Sequence, residues 1–460
     1  MSKVERKLPI SKSELALKRK LLLIPVIILL IKIIIMFNAS TPIWKSWSGG
    51  WAGSDGEHYL IGTLAILVEG IFSDEIKLQF WPAGYPLLMA IFGKISLTHI
   101  LYFVSTIQSA IYAYASYYFV DSIRNSKLKR ISLAVAVILG VNPTLSLSSL
   151  VVGYETLAAS CMLLIVAKLF KHTNFNSKES IAGTSIFLGS FLALASFIQP
   201  RYLIVGLILL PFWVLVEKNK KTTTVIALCA VCVMFLAPGA LMIRNYVAND
   251  IWAISTNLGS TMRIGAGPNA TGGYIEDNKS VPCLSKSGKV EPSDSEIQKC
   301  VVNWYLANPI RALELAINKS VYFWSPWSGP LANGTTARNP WLKIDPIMSI
   351  VKTPDGLELV TGPFGKLVSW VWLMAGLGLL FSGFFWLFKF GGQIRNLAWF
   401  SLTPIVLSWL VSIATIGDHR FRIPIMGLSL FLQVGGVFAI RNRFKTSKFE
   451  SAFEQKGRAR

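Results

Sequence analysis

The sequence predicts an all-α polytopic membrane protein, a bundle of helices with loops gathered on its outer face. Three observations predict it. Of 460 residues, 53% are hydrophobic and only 15% charged, which is too apolar for an ordinary soluble domain. Apolar stretches of roughly 17 to 25 residues recur along the chain, the length at which a helix satisfying its own backbone crosses the hydrocarbon. The formal net charge of +21 collects in short linkers and at both termini, where positive-inside topology places Lys and Arg. With no zinc finger or basic–aromatic soluble module beside it, that charge argues against nucleic acid as a partner.

Spans are expected near 21–38, 100–120, 131–150, 155–170, 181–199, 202–216, 223–242, 364–388, 397–416 and 423–440, with both chain ends in the cytoplasm. The first run, Leu21 to Phe37, comes after Lys18-Arg19-Lys20 and precedes no small-residue cleavage signal, so it reads as a retained helix. Trp81 to Ile95 is apolar but carries Pro82 and Pro86, which favours an interfacial or partly inserted element. Cytoplasmic segments then hold Arg124 to Arg130, Lys171, Lys178, Lys218, Lys220, Lys221, Lys389, Arg395 and the tail from Arg441. The chain divides into a module at 1–242 containing a first outer loop at 39–99, an outer loop region at 243–363, and C-terminal helices with a basic tail at 364–460.

Four arginines break the charge bias by sitting at outer ends of spans: Arg201, Arg244, Arg420 and Arg422. A planar guanidinium suits a phosphate oxygen, whereas the bland alternatives are snorkelling to headgroups or pairing with a loop carboxylate. Acids gather on the same side. Asp55 and Glu57 lie in Ser54-Asp55-Gly56-Glu57-His58-Tyr59, and Glu155 opens the fourth span after Gly153-Tyr154. A carboxylate at the edge of an apolar segment is costly unless it faces protein or water, so Glu155 is expected to point into the bundle; its plainer role is to meet the helix dipole. As a lone Asp-Gly pair, Asp55-Gly56 is a turn.

Five pieces together carry a family resemblance. They are Asp55-Gly56-Glu57-His58-Tyr59, Trp81-Pro82-Ala83-Gly84-Tyr85-Pro86-Leu87-Leu88, Tyr154-Glu155-Thr156-Leu157, Ile243-Arg244-Asn245-Tyr246 and His419-Arg420-Phe421-Arg422-Ile423-Pro424. In order, spacing and common placement, the chain resembles the GT-C superfamily of membrane glycosyltransferases, in the branch with the protein O-mannosyltransferases and lipid A aminoarabinose transferases. The resemblance implies a GT-C-like bundle and inverting transfer of a sugar from a polyprenyl or dolichyl phosphate to an acceptor hydroxyl of a glycan, lipid or protein. The site would face the periplasm or cell exterior of a prokaryotic plasma membrane.

By the same resemblance Asp55 is the catalytic base. Family members often carry a second acid directly after it, where this chain has Gly56, so the second carboxylate falls to Glu57 or Glu155. His58, Tyr59, Trp81 and Tyr85 would line the donor site, and an arginine of the last outer turn, Arg420 or Arg422, would hold the lipid phosphate. Gly265 to Asn269 resembles the family's loop after Arg244, on the acceptor side.

No cofactor is expected from the residues. A divalent ion is left open by the family, whose members differ in using one, with His58 and His419 as its ligands near a carboxylate. Cys229 and Cys232 have C-x-x-C spacing but lie inside an apolar span without a second pair, which reads as packing. Cys283 and Cys300 both fall in the large outer segment, where a disulfide persists and restrains a polar region with little core. A transporter or flippase for an anionic lipid-linked substrate is the rival class. It would more typically show internal repeats or paired broken helices, which this sequence does not display.

Overall fold

A computed structural model describes residues 12–38, 55–124, 126–150, 152–175, 180–273, 280–283, 292–324, 349–353, 356–360 and 363–458. Among the described residues the secondary structure is helical apart from one hairpin. Helix α1 (Lys12–Asn38) precedes α2 (Asp55–Glu69), α3 (Ile76–Phe80) and α4 (Gly84–Ile95) of the first loop region and the long α5 (Ile100–Arg124). Next come α6 (Lys129–Val141), α7 (Pro143–Leu147), α8 (Glu155–Phe175), α9 (Ile181–Ile198), α10 (Tyr202–Val216) and α11 (Lys220–Asn249). The second loop region holds α12 (Leu258–Ile264), α13 (Asp294–Ala307) and α14 (Pro309–Trp324). It also holds the antiparallel strands β1 (Ser349–Thr353) and β2 (Gly356–Val360), paired from Ser349 with Val360 to Thr353 with Gly356, a hairpin the all-α expectation did not include. The chain closes with α15 (Pro363–Lys389), α16 (Gly392–Ala414) and α17 (Ile423–Arg458).

Among the described residues seven helices are long and apolar enough to cross a membrane: Lys12–Phe37, Glu155–Thr173, Ile181–Ile198, Lys220–Asn249, Trp370–Lys389, Gly392–Ala414 and His419–Asn442. Three of the ten expected spans do not reach that length and apolarity as single straight helices. Helix α5 has the length, but its buried Ser105, Gln108, Ser109, Ser116 and Ser122 make it too polar for the same criterion. The run expected at 131–150 is broken by 63° between α6 and α7. Asn142 accepts from the Leu145 amide at 2.9 Å and Pro143 opens the next helix, so the backbone turns there. Helix α10 is a short apolar helix, as is α4, where the two prolines predicted an incomplete crossing.

Helix α8 is the axis of the bundle, packed by α5, α9, α16 and α17 and buried along 89% of its apolar window. The outer helices show lipid their side chains instead, among them Ile34, Leu215, Leu236 and Val371. At one end of the bundle lie charged contacts between helix ends: Asp121 meets Arg124 at 3.0 Å and Lys171 at 3.4 Å, and Arg124 meets Glu14 at 3.6 Å. The loops gather at the other end. There the Thr256 amide donates to the Gln79 carbonyl at 3.0 Å, and the Gly417 amide to the Gly272 carbonyl at 2.8 Å. Cys283 and Cys300 are joined in a disulfide with Cα atoms 5.9 Å apart, the pairing expected from the sequence.

Candidate active site

The break after α6 delivers the chain toward the head of α8 through a short 3₁₀ turn, Ser148–Leu150, and bends at 152–154. Every part of that approach is tied down. Ser105 of α5 donates to the Leu150 carbonyl at 3.0 Å, and Ser148 and Thr156 share a hydrogen bond of 2.7 Å. Tyr85 of α4 donates to Gln108 Oε1 at 3.1 Å and accepts from the Gly153 amide at 3.0 Å. Burial pushes the Tyr85 phenol above its usual range, so it acts here as a neutral hydroxyl. Gly153 leaves room for the acid: a Cβ on it would stand 2.2 Å from Glu155 Oε2, so a larger residue would shift that carboxylate.

Glu155, only 4% exposed, sits in the first turn of α8 and forms an ion pair with Arg420, itself 6% exposed. A pair this buried needs both partners, because either charge alone would stand uncompensated among apolar residues. Arg420 is placed by the 3₁₀ turn His419–Arg422, which Asp418 starts by accepting from the Arg420 amide at 2.8 Å. His419 is fully buried, with Nδ1 3.5 Å from Asp418 Oδ1.

Arg201, at the head of α10, reaches the same place from the other side. Its Nη2 donates to the Tyr154 hydroxyl at 2.9 Å, and its guanidinium carbon lies 3.9 Å from the centre of the Phe421 ring. Arg420 lies over the Tyr154 ring at 5.5 Å. Unlike Arg420, half-buried Arg201 makes no ion pair with a carboxylate among the described residues. Among the described residues Glu155 balances Arg420, whereas Arg201 meets a hydroxyl and two aromatic rings.

An aromatic wall continues from this cluster. Tyr59 packs edge-on against Tyr85 at 5.1 Å and Trp81 at 6.3 Å, and Trp81 stacks with His58 at 5.9 Å. Four of the five sequence pieces therefore meet at one end of the bundle. Glu57 is half-buried on α2. Asp55 opens that helix, but its side chain lies outside the described residues.

The other two arginines point elsewhere. Arg244 donates to the carbonyls of Ile71 and Ser73 and, at 2.8 Å, to Asn245 Oδ1, which fastens the loop after α2 to the end of α11. Arg422 donates to the Trp324 carbonyl and holds the end of α14. Gln108, Tyr202 and Asp418 belong to the surroundings of the site and were not singled out from the sequence. A polar residue inside an apolar helix was the available signal for Gln108. Among the described residues no three of His, Cys, Asp and Glu gather closely enough to hold a metal ion.

No family model and no curated protein matches the chain. Three solved structures of the Archaeoglobus fulgidus oligosaccharyltransferase are similar in shape. The archaeal oligosaccharyltransferase AglB in complex with an inhibitory peptide and a dolichol-phosphate has a TM-score of 0.47 at 13% identity, over 94% of this chain and 52% of that one. The apo form gives 0.49 at 13% identity over the same shares, and the form tethered to an acceptor peptide containing the NVT sequon gives 0.47 at 13% identity over 91% and 50%. The chain spans about half the length of these proteins.

Proposed function

We propose that this chain is an inverting glycosyltransferase of the GT-C type, moving a sugar from a polyprenyl (or dolichyl) phosphate to an acceptor hydroxyl at the outer membrane-water interface. The observation that carries the reading is the pairing of Glu155 with Arg420 beside Arg201, which meets no carboxylate among the described residues, at the loop end of the bundle and against the Tyr59, Trp81 and Tyr85 wall. An anionic lipid headgroup suits such a place. The Arg201 guanidinium meets phosphate oxygens, aromatic rings sit at headgroup level, and the insoluble tail stays among the helices.

Chemistry would run as a single displacement. Acceptor oxygen bonds to the anomeric carbon as the carbon–phosphate oxygen bond breaks, and the acceptor proton passes to Asp55 as general base. Arg201 would stabilise charge arriving on the leaving phosphate, with Arg420 oriented by Glu155 beside it. The site would face the periplasm or exterior of a prokaryotic cell, consistent with the basic linkers at the opposite end of the bundle.

The test is single-turnover transfer by purified protein from a panel of polyprenyl-phosphate sugars. Asp55→Asn should keep donor binding and lose about 10² to 10⁴ in rate, the usual cost of removing a general base. Near-parental transfer by Asp55→Asn removes the assignment, and a collapse confined to Glu57→Gln moves the base there. Binding of lipid donor with no transfer from any sugar would favour the flippase reading.

A further inference from the structure

Lys319 lies on α14, far in sequence from every residue placed in the site, and is only 1% exposed. Its Nζ donates to the Tyr305 hydroxyl of α13 at 2.7 Å and to the Ile413 carbonyl at the end of α16 at 3.0 Å. Tyr305 passes the connection on, donating to the Gly265 carbonyl at 3.2 Å. Three segments thus meet at one nitrogen. No carboxylate pairs with it among the described residues, and burial lowers its pKa to about 7. A neutral amine carries two N–H bonds, and two acceptors are present.

The same residue touches the turn that leads to Arg420. A Cβ on Gly417 would stand 2.5 Å from the Lys319 Cα and 2.6 Å from its carbonyl oxygen, so the chain there lies directly on α14. Its amide binds the Gly272 carbonyl, and the next residue, Asp418, starts the turn that carries Arg420. Arg311, two turns earlier on α14, donates to the Ala270 carbonyl at 2.7 Å and pairs with Glu314 at 2.5 Å. Residues 265–273 and 413–418 are therefore both clasped to one helix.

We propose that Lys319 is a positioning residue that pins the Arg420-bearing turn to α13 and α14, and so sets where Arg420 stands in the anion site. The link to the anion site rests on the glycosyltransferase reading; the pin itself does not. Tyr305 is the discriminating position because its hydroxyl bonds to Lys319 and to Gly265 rather than to residues 413–418.

Hydrogen exchange read by mass spectrometry on the full chain in lipid nanodiscs, for the parent, Lys319→Met and Tyr305→Phe, tests the pin. Both variants should speed exchange across 413–418 roughly tenfold, the effect of losing about one buried hydrogen bond, and leave α8 unchanged. The double variant should add little to either single one, as expected for residues in one network. Under single-turnover assay both should raise the donor concentration needed for half-maximal transfer more than they slow the chemical step.

Unchanged exchange at 413–418 in Tyr305→Phe overturns the proposal, including in the case where Lys319→Met does not fold. A parent that transfers no sugar from any donor refutes the enzyme reading and leaves the exchange result to judge the pin.

Discussion

Arg201 and Arg420 both lie close to the Tyr154 ring, at 5.9 and 5.5 Å, yet truncation removes different things. Arg420→Ala would leave the Glu155 carboxylate buried without its partner, a loss of about 3 to 5 kcal/mol for a broken buried pair. Arg201→Ala removes a half-buried cation that makes no ion pair with a carboxylate among the described residues. We expect Arg420→Ala to lower the thermal midpoint of the detergent-solubilised protein sharply. Arg201→Ala should unfold near the parent temperature but bind polyprenyl phosphate roughly tenfold or more weakly, the effect of one lost charge-assisted hydrogen bond. Equal donor affinity of Arg201→Ala and parent would take Arg201 out of the anion site. The sequence placed all four arginines at span ends and made them look alike. What separates them is whether a carbonyl or a carboxylate stands within reach, which depends on loops more than a hundred residues away, as with Ile71 and Ser73 for Arg244.

Helix α14 has one face in the protein, through Leu315, Lys319 and Phe323, and another exposed at Ile310, Leu313 and Ile317. Its docking should depend on pH through Lys319, whose pKa falls from 10.5 in the open chain to about 7 when buried. Between those values the unfolded chain binds the proton and the folded chain does not, so stability rises with pH and is lost as pH falls toward 7. Tyr305 and Tyr322 are pushed upward by burial and act in the opposite sense only at higher pH, near and above their ordinary value of 10. Between about pH 7 and 9 the parent should therefore gain stability that Lys319→Met does not, measured as the difference in their unfolding midpoints. Parallel profiles would mean that Lys319 keeps its proton when buried. Composition did not mark this lysine, because α14 reads as an ordinary amphipathic helix until the carbonyl of Ile413 is seen above it.

For the whole molecule, the two ends of the bundle carry opposite commitments. Lys127, in the linker beside Asp121 and Arg124, should react with membrane-impermeant thiol reagents only from the cytoplasm when replaced by Cys. Asn269→Cys, exposed in the loop-end segment, should react only from outside. Labelling of both from one side would invert or dismantle the topology. Helical class, the position of most spans and the Cys283–Cys300 pairing were legible in the sequence, because span length, charge asymmetry and cysteine placement are local quantities set by the bilayer and its compartments. The internal detail of the spans was not: helix α5 turns its serines and Gln108 inward and the chain bends at Asn142, which only the packing shows. Candidate acids and arginines could likewise be named one by one, since each breaks a local rule. That Glu155 pairs with Arg420, that Arg201 reaches the Tyr154 hydroxyl, and that Lys319 bonds the Ile413 carbonyl were decided only by tertiary structure, because each is a contact between segments that sequence distance does not connect.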